Sequence, residues 1–256
     1  MAPDKPPLVL LHGGAAAGRT WRDIIPLVAE HHRVYAPTAL GHRGGPAVAR
    51  RPVSANDLVD WAESYLDEQG LQRPHIAGHS MGGFMAIELA RRGRASSVCA
   101  IAPGGFWASG DGLRAASLSK VQQDVGVARL VRPIAPLILK SPMVRRFWFK
   151  TGTSHGDRIS AERGVEILDD FLGCSVIGEI FATDDEQIAP LDPLPCPVTV
   201  AWAENDEIIP VDCYAPIARE RLPQATFVVL PDVAHDPTMD APELISRTIL
   251  EATGAR

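Results

Sequence analysis

The sequence predicts an α/β fold: a mostly parallel central sheet of about six strands flanked by helices, with a helical cap inserted after the strand that ends near residue 102. Three observations predict it. Short apolar runs bounded by Gly and Pro recur along the chain, helix-like stretches separate them, and the alternation breaks in one place only, between about Trp107 and Ile188.

The strand-like runs are Leu8 to Leu11, Arg33 to Ala36, His75 to Ala77, Ser97 to Ala102, Val198 to Trp202 and Thr226 to Leu230. They are almost continuously apolar, as expected of parallel strands covered on both faces. Between them, Thr20 to Glu30, Ser54 to Glu68, Met81 to Arg92, Cys213 to Arg221 and Pro242 to Glu251 read as helices. Ser54 followed by Asp57 gives a side-chain cap for the second of these, and Leu58, Trp61, Ala62, Tyr65 and Leu66 fall on one face that packs on the sheet.

From Trp107 to Ile188 helix-like patterns follow one another with no clear strand between them. The expected organisation is therefore a core formed by residues 1–106 and 189–256, with 107–188 as the cap. Within the cap, Val125 to Gly156 holds Arg129, Arg132, Lys140, Arg145, Arg146 and Lys150, no acidic residue, and an interleaving of large apolar side chains. Such a stretch suits an apolar lid with its cations in solvent, or a lid that meets an interface or an anionic ligand.

With 25 Lys and Arg against 31 Asp and Glu, the chain offers no global attraction to nucleic acid or to an anionic membrane. Cys99, Cys174, Cys196 and Cys213 are scattered without a C-x-x-C pair, so neither a disulfide framework nor a zinc site is expected, and no cofactor or metal is implied. The first apolar run is too soon interrupted by His12 and Gly13 for a signal peptide, and no apolar segment approaches the roughly 20 residues of a membrane helix. A cytoplasmic monomer or homodimer without stable membrane insertion is expected.

Gly78, His79, Ser80, Met81 and Gly82 form a G-x-S-x-G pattern between a strand and a helix, the context in which a serine protrudes from a tight turn. A serine hydroxyl needs a base to take its proton and a carboxylate to orient that base. His235 follows the last strand and Asp206 the strand before it, both on the side where α/β sites assemble, with Glu204 and Glu207 as competitors for the acid. The remaining histidines fit structural roles, His12 by ordering its own loop. An oxyanion needs two preorganised donors, for which the backbone amides of Met81 and of Gly14, in the turn after the first strand, are the candidates.

With these residues in place the chain resembles the α/β-hydrolase superfamily over nearly its whole length. His12, Gly13 and Gly14 with Trp21 resemble its oxyanion turn, Gly78 to Gly83 its nucleophile elbow, Trp202, Asp206 and Pro210 its acid segment, and Val233 to His235 with Pro242 and Glu243 its histidine loop. The chain departs from the patterns of particular members in several places. Serine stands where the family's haloalkane dehalogenases and epoxide hydrolases use aspartate; Asp236 follows His235 where carbon–carbon bond hydrolases usually place tryptophan; and Thr38 to Gly45 lacks an aspartate that many members carry. With seven residues before Leu8, the hairpin that usually opens the fold is not expected, and the sheet should have about six strands.

The resulting expectation is a carboxylic-ester hydrolase acting on a small-molecule acyl substrate, with Ser80, Asp206 and His235 catalytic and Phe106, Trp107, Phe147 and Trp148 as pocket walls. A thioesterase or carbon–carbon bond hydrolase would use the same triad. A catalytically silent ligand-binding protein on this fold is the alternative of another class.

Overall fold

The computed structural model describes residues 5–108, 124–180 and 186–255. Six parallel strands, β1 (Pro7–Leu11), β2 (Arg33–Tyr35), β3 (His75–His79), β4 (Ser97–Ile101), β5 (Val198–Ala203) and β6 (Thr226–Leu230), form one sheet in the order β2-β1-β3-β4-β5-β6. The expected runs and the observed strands coincide to within two residues. The largest difference is β3, which continues through Gly78 and His79 because both pair in register with β4.

The apolar runs are continuous because the strands bury both faces. In β1, Val9 and Leu11 enter one core layer, whereas Leu8 and Leu10 enter the other. Complete burial of a leucine contributes about 2 kcal/mol, so a polar residue at any of these positions would be costly.

Five helices of eleven residues or more accompany the sheet among the described residues: α1 (Ala55–Glu68), α2 (Met81–Arg91), α3 (Ala161–Gly173), α4 (Val211–Arg221) and α5 (Pro242–Thr253). The Ser54 side chain accepts from the Asp57 amide while the Asp57 carboxylate accepts from the Ser54 amide, which fixes the start of α1. Helices α1, α2 and α4 cover one face of the sheet. Trp21, Ile24 and Val28 cover the other with α5, from a 3₁₀ turn (Gly18–Asp23) and a single helical turn (Ile25–Val28) where one continuous helix was expected. Pro26 lies at the start of that second turn, where it lacks the N–H to continue a preceding helix.

Successive connections leave β1 and β3 on opposite faces, so the chain forms a crevice between the carboxyl ends of these neighbouring strands. Above it lies the segment between β4 and β5, in which the described residues form helices and no strand. This segment has a small core of its own around Ala128, Ala135, Leu139 and Leu168. Ion pairs seat α3 on the sheet domain: Asp170 is held between Arg19 (3.1 Å) and Arg43 (3.0 Å), and Arg163 pairs with Asp23. Residues 109–123 and 181–185 of the expected cap lie outside the described residues.

Candidate active site

The turn from β3 into α2 places Ser80 at φ 52°, ψ −112°, a backbone conformation that costs a side-chain-bearing residue of order 1–3 kcal/mol. Its surroundings impose it. The Ser80 amide donates to the Ile101 carbonyl (2.8 Å), and the Ser80 carbonyl accepts from Phe84 (3.1 Å) and Gly104 (3.2 Å). Glycine at 82 permits the close packing, since a Cβ there would stand 2.1 Å from the Leu11 carbonyl oxygen.

Two loops from neighbouring strand ends converge on the Ser80 hydroxyl. After β5, the Asp206 side chain is fully buried and one carboxylate oxygen accepts the amides of Ile208 (2.9 Å) and Ile209 (2.8 Å). The Trp202 indole donates to the Ile209 carbonyl (2.7 Å) and pins this loop to its strand. The other carboxylate oxygen lies 2.8 Å from His235 Nδ1, and His235 Nε2 lies 3.0 Å from Ser80 Oγ. Glu204 instead accepts the Asp232 amide, and Glu207 is exposed.

Burial, the largest single influence on His235, opposes its protonation. The Asp206 charge and hydrogen bond, with Asp236 beside it, outweigh that and hold the imidazole above its ordinary value. An imidazole so placed takes a proton from the serine readily, and the buried carboxylate stabilises the cation that results.

His79 and Asp240 hold the histidine loop in ways the sequence reading did not assign. His79, buried beside the site, is within 2.7 Å of the His235 carbonyl through Nε2, and burial lowers its pKa. Asp240 accepts the Ala234 amide (3.2 Å) from the histidine loop, and from the segment between β4 and β5 it accepts the Thr153 hydroxyl and the amides of Ser154 (2.8 Å) and His155 (3.0 Å). A further tie runs from the Asp236 amide to the Gly152 carbonyl (2.7 Å). The only sequence signal for these ties is adjacency, His79 to Ser80 and Asp240 to the histidine loop.

The turn after β1 borders the site. A Cβ on Gly13 would stand 3.5 Å from the Ser80 Cβ and 2.7 Å from His79 Nδ1. His12 orders this turn by accepting the Ala39 amide at Nε2 (2.9 Å) while Nδ1 faces the Gly13 carbonyl (2.8 Å). Burial, and then His42 beside it, push the His12 pKa down to about 3. Met81 is the first residue of α2, beside Ser80. Gly14 lines a cavity of about 400 Å3, together with Phe147, Trp148, Phe171, Lys150 and Asp236. Phe106 and Trp107 do not line it. They are buried in the core, where Phe106 packs on Trp202 with ring centroids 6.1 Å apart, because the Gly105 carbonyl beneath them is fastened by the Ile188 amide and the Arg221 guanidinium.

A doubly wound parallel sheet with a serine, a histidine and a carboxylate joined across three strand ends has the architecture of an α/β hydrolytic enzyme. Residues 8–248 match the sequence model of the Alpha/beta hydrolase family, and the chain belongs to that family and is a hydrolase.

The chain is 28% identical over 200 residues to epoxide hydrolase EphH of Mycobacterium tuberculosis, a match covering 77% of this chain and 94% of that one. It is 27% identical over 265 residues to a putative carbamate hydrolase, RutD, of a Caulobacter species, covering 97% and 91%. Among solved structures it superposes on 2-hydroxy-6-oxo-6-phenylhexa-2,4-dienoate hydrolase of Rhodococcus with a TM-score of 0.75 at 21% identity, covering 98% of this chain and 91% of that one. Among the described residues, no helix is long and apolar enough to cross a membrane.

Proposed function

We propose that the protein hydrolyses a small or medium carboxylic ester through an acyl-enzyme on Ser80. The observation that carries this reading is the position of His235, which meets Ser80 Oγ at 3.0 Å through one ring nitrogen and Asp206 at 2.8 Å through the other. Ser80 attacks the acyl carbon as His235 takes its proton, and His235 returns that proton to the departing alkoxide. The same histidine then activates a water that releases the acid and restores the serine. The amides of Gly14 and Met81 hold the oxyanion, a contribution typically worth about 10²–10³-fold per donor.

Serine rather than aspartate at the elbow supports acyl chemistry over epoxide opening. The aromatic wall of Phe147, Trp148 and Phe171 beside Gly14 supports an apolar group on the substrate, and residues 107–188 act as the cap that covers it. Thioester or carbon–carbon bond cleavage would employ the same three residues, and the Rhodococcus enzyme's name points to a dienoate substrate for that protein. Purified protein assayed on p-nitrophenyl esters from acetyl to octanoyl, on acyl-CoA thioesters and on a vinylogous diketone separates these chemistries. The esters should give the highest kcat/KM. A higher value on the thioester or diketone would replace the ester assignment while retaining the triad, and turnover of none of them would favour a binding protein.

A further inference from the structure

Nine large apolar side chains stand exposed among the described residues, and six of them, Val127, Leu130, Ile134, Leu137, Met143 and Phe147, fall within 21 residues of one another in sequence. They belong to the segment between β4 and β5, whose inner side is already packed through Ala128, Ala135 and Leu139. Leu130 and Met143 are each 81% exposed and Leu137 is 69% exposed, so the outer apolar side chains of this segment are turned to solvent.

The charges around this face identify its partner. Six of the chain's 25 Lys and Arg, and none of its 31 Asp and Glu, lie between Val125 and Gly156. Two of the six are committed elsewhere: Arg145 is buried and donates to the carbonyls of Leu139, Lys140 and Asp157, and Arg132 pairs with Asp169. Arg129, Lys140, Arg146 and Lys150 remain exposed among the apolar side chains. Two copies of such a face would set cation against cation, which disfavours self-association through it. A surface that is anionic at its rim and apolar beneath matches both features.

We infer that this face docks on an anionic phospholipid surface, with Leu130, Leu137 and Met143 entering the headgroup boundary and Arg129, Lys140 and Arg146 meeting the phosphates. The interaction is peripheral. Val127, Phe147 and Lys150 also line the cavity beside Gly14, so docking would bring that cavity to the lipid surface.

The test is sedimentation of the full chain with vesicles of phosphatidylglycerol and phosphatidylcholine in equal parts, compared with phosphatidylcholine alone. The protein should bind the anionic vesicles, bind them less tightly in high salt, and leave the neutral ones. Replacing the cations together (Arg129→Gln, Lys140→Gln, Arg146→Gln) should weaken partitioning roughly a hundredfold, since each cation near such a surface contributes about a factor of five. Replacing the apolar residues (Leu130→Ser, Leu137→Ser, Met143→Ser) should also abolish binding. None of these six residues lines the cavity, and unchanged thermal unfolding of both variants confirms that they fold. Failure of the native chain to bind anionic vesicles, equal binding to neutral ones, or binding that survives both sets of substitutions would overturn the inference. A dimer in solution that the apolar substitutions dissociate would assign the face to a second copy instead.

Discussion

Asp206 divides its carboxylate between two tasks: one oxygen is held by the amides of Ile208 and Ile209, and the other stands 2.8 Å from His235 Nδ1. The acid is therefore fixed by its own loop before it orients the histidine. Because Asp206 and Asp236 raise the His235 pKa above the ordinary 6.5, the imidazole keeps its proton to higher pH and the acid limb of the kcat/KM profile should lie above that value. Asp206→Asn removes the largest raising influence and leaves burial, so the limb should move to lower pH while kcat falls by roughly 10³–10⁴-fold. A limb that stayed in place would show that another group controls it.

Asp240 ties the histidine loop to the segment between β4 and β5. Asp240→Ala leaves the Thr153 hydroxyl and the amides of Ser154, His155 and Ala234 without this acceptor. A loss of roughly 2–4 kcal/mol in urea unfolding is expected. Looser placement of His235 should also lower kcat by about tenfold to a hundredfold. Asp240→Asn keeps one acceptor oxygen and should fall between the variant and the native protein in both measurements.

His12 is neutral in the fold, with its pKa pushed down to about 3 against 6.5 in the unfolded chain. As pH falls below 6.5 the unfolded state takes up a proton that the folded state refuses, so stability drops until the folded pKa is reached. The contribution is roughly 1.4 kcal/mol per pH unit across that window. Denaturant unfolding of His12→Asn between pH 6 and 4 should show a shallower pH slope than the native chain, by about one proton. Equal slopes would contradict the assignment.

Gly82 and Gly126 respond oppositely to an added methyl group. Gly82→Ala forces a Cβ against the Leu11 carbonyl at 2.1 Å, whereas a Cβ at Gly126 meets no atom within 4 Å. Thermal unfolding should place Gly82→Ala more than about 3 kcal/mol below the native protein and without ester turnover. Gly126→Ala, in helical residues 124–131, should gain about 0.5–1 kcal/mol.

The sheet was legible because burial on both faces leaves little freedom in residue choice: Leu8 to Leu11 could not be a half-exposed strand. The Ser80 turn was legible because a tight strand-to-helix turn needs glycine on both sides. Choosing Asp206 over Glu204 and Glu207 rested on order and loop position, and their different exposure appears only when the β5 and β6 loops meet. The Asp240 ties were hidden because they join residues 85 to 87 positions apart, two of them through backbone amides, which every residue carries, and one through the Thr153 hydroxyl. Aromatic type did not separate core from pocket wall at Phe106 and Trp107, since a large ring suits the core beside Trp202 as well as a pocket wall.

The proposed ester hydrolysis depends on Ser80 being a nucleophile activated by His235. Incubation with a fluorophosphonate, followed by intact mass and peptide mapping, measures this directly. One adduct should form on the peptide bearing Ser80, disappear in Ser80→Ala, and form far more slowly in His235→Ala. An unlabelled native protein, or a label that persists in Ser80→Ala, would contradict it.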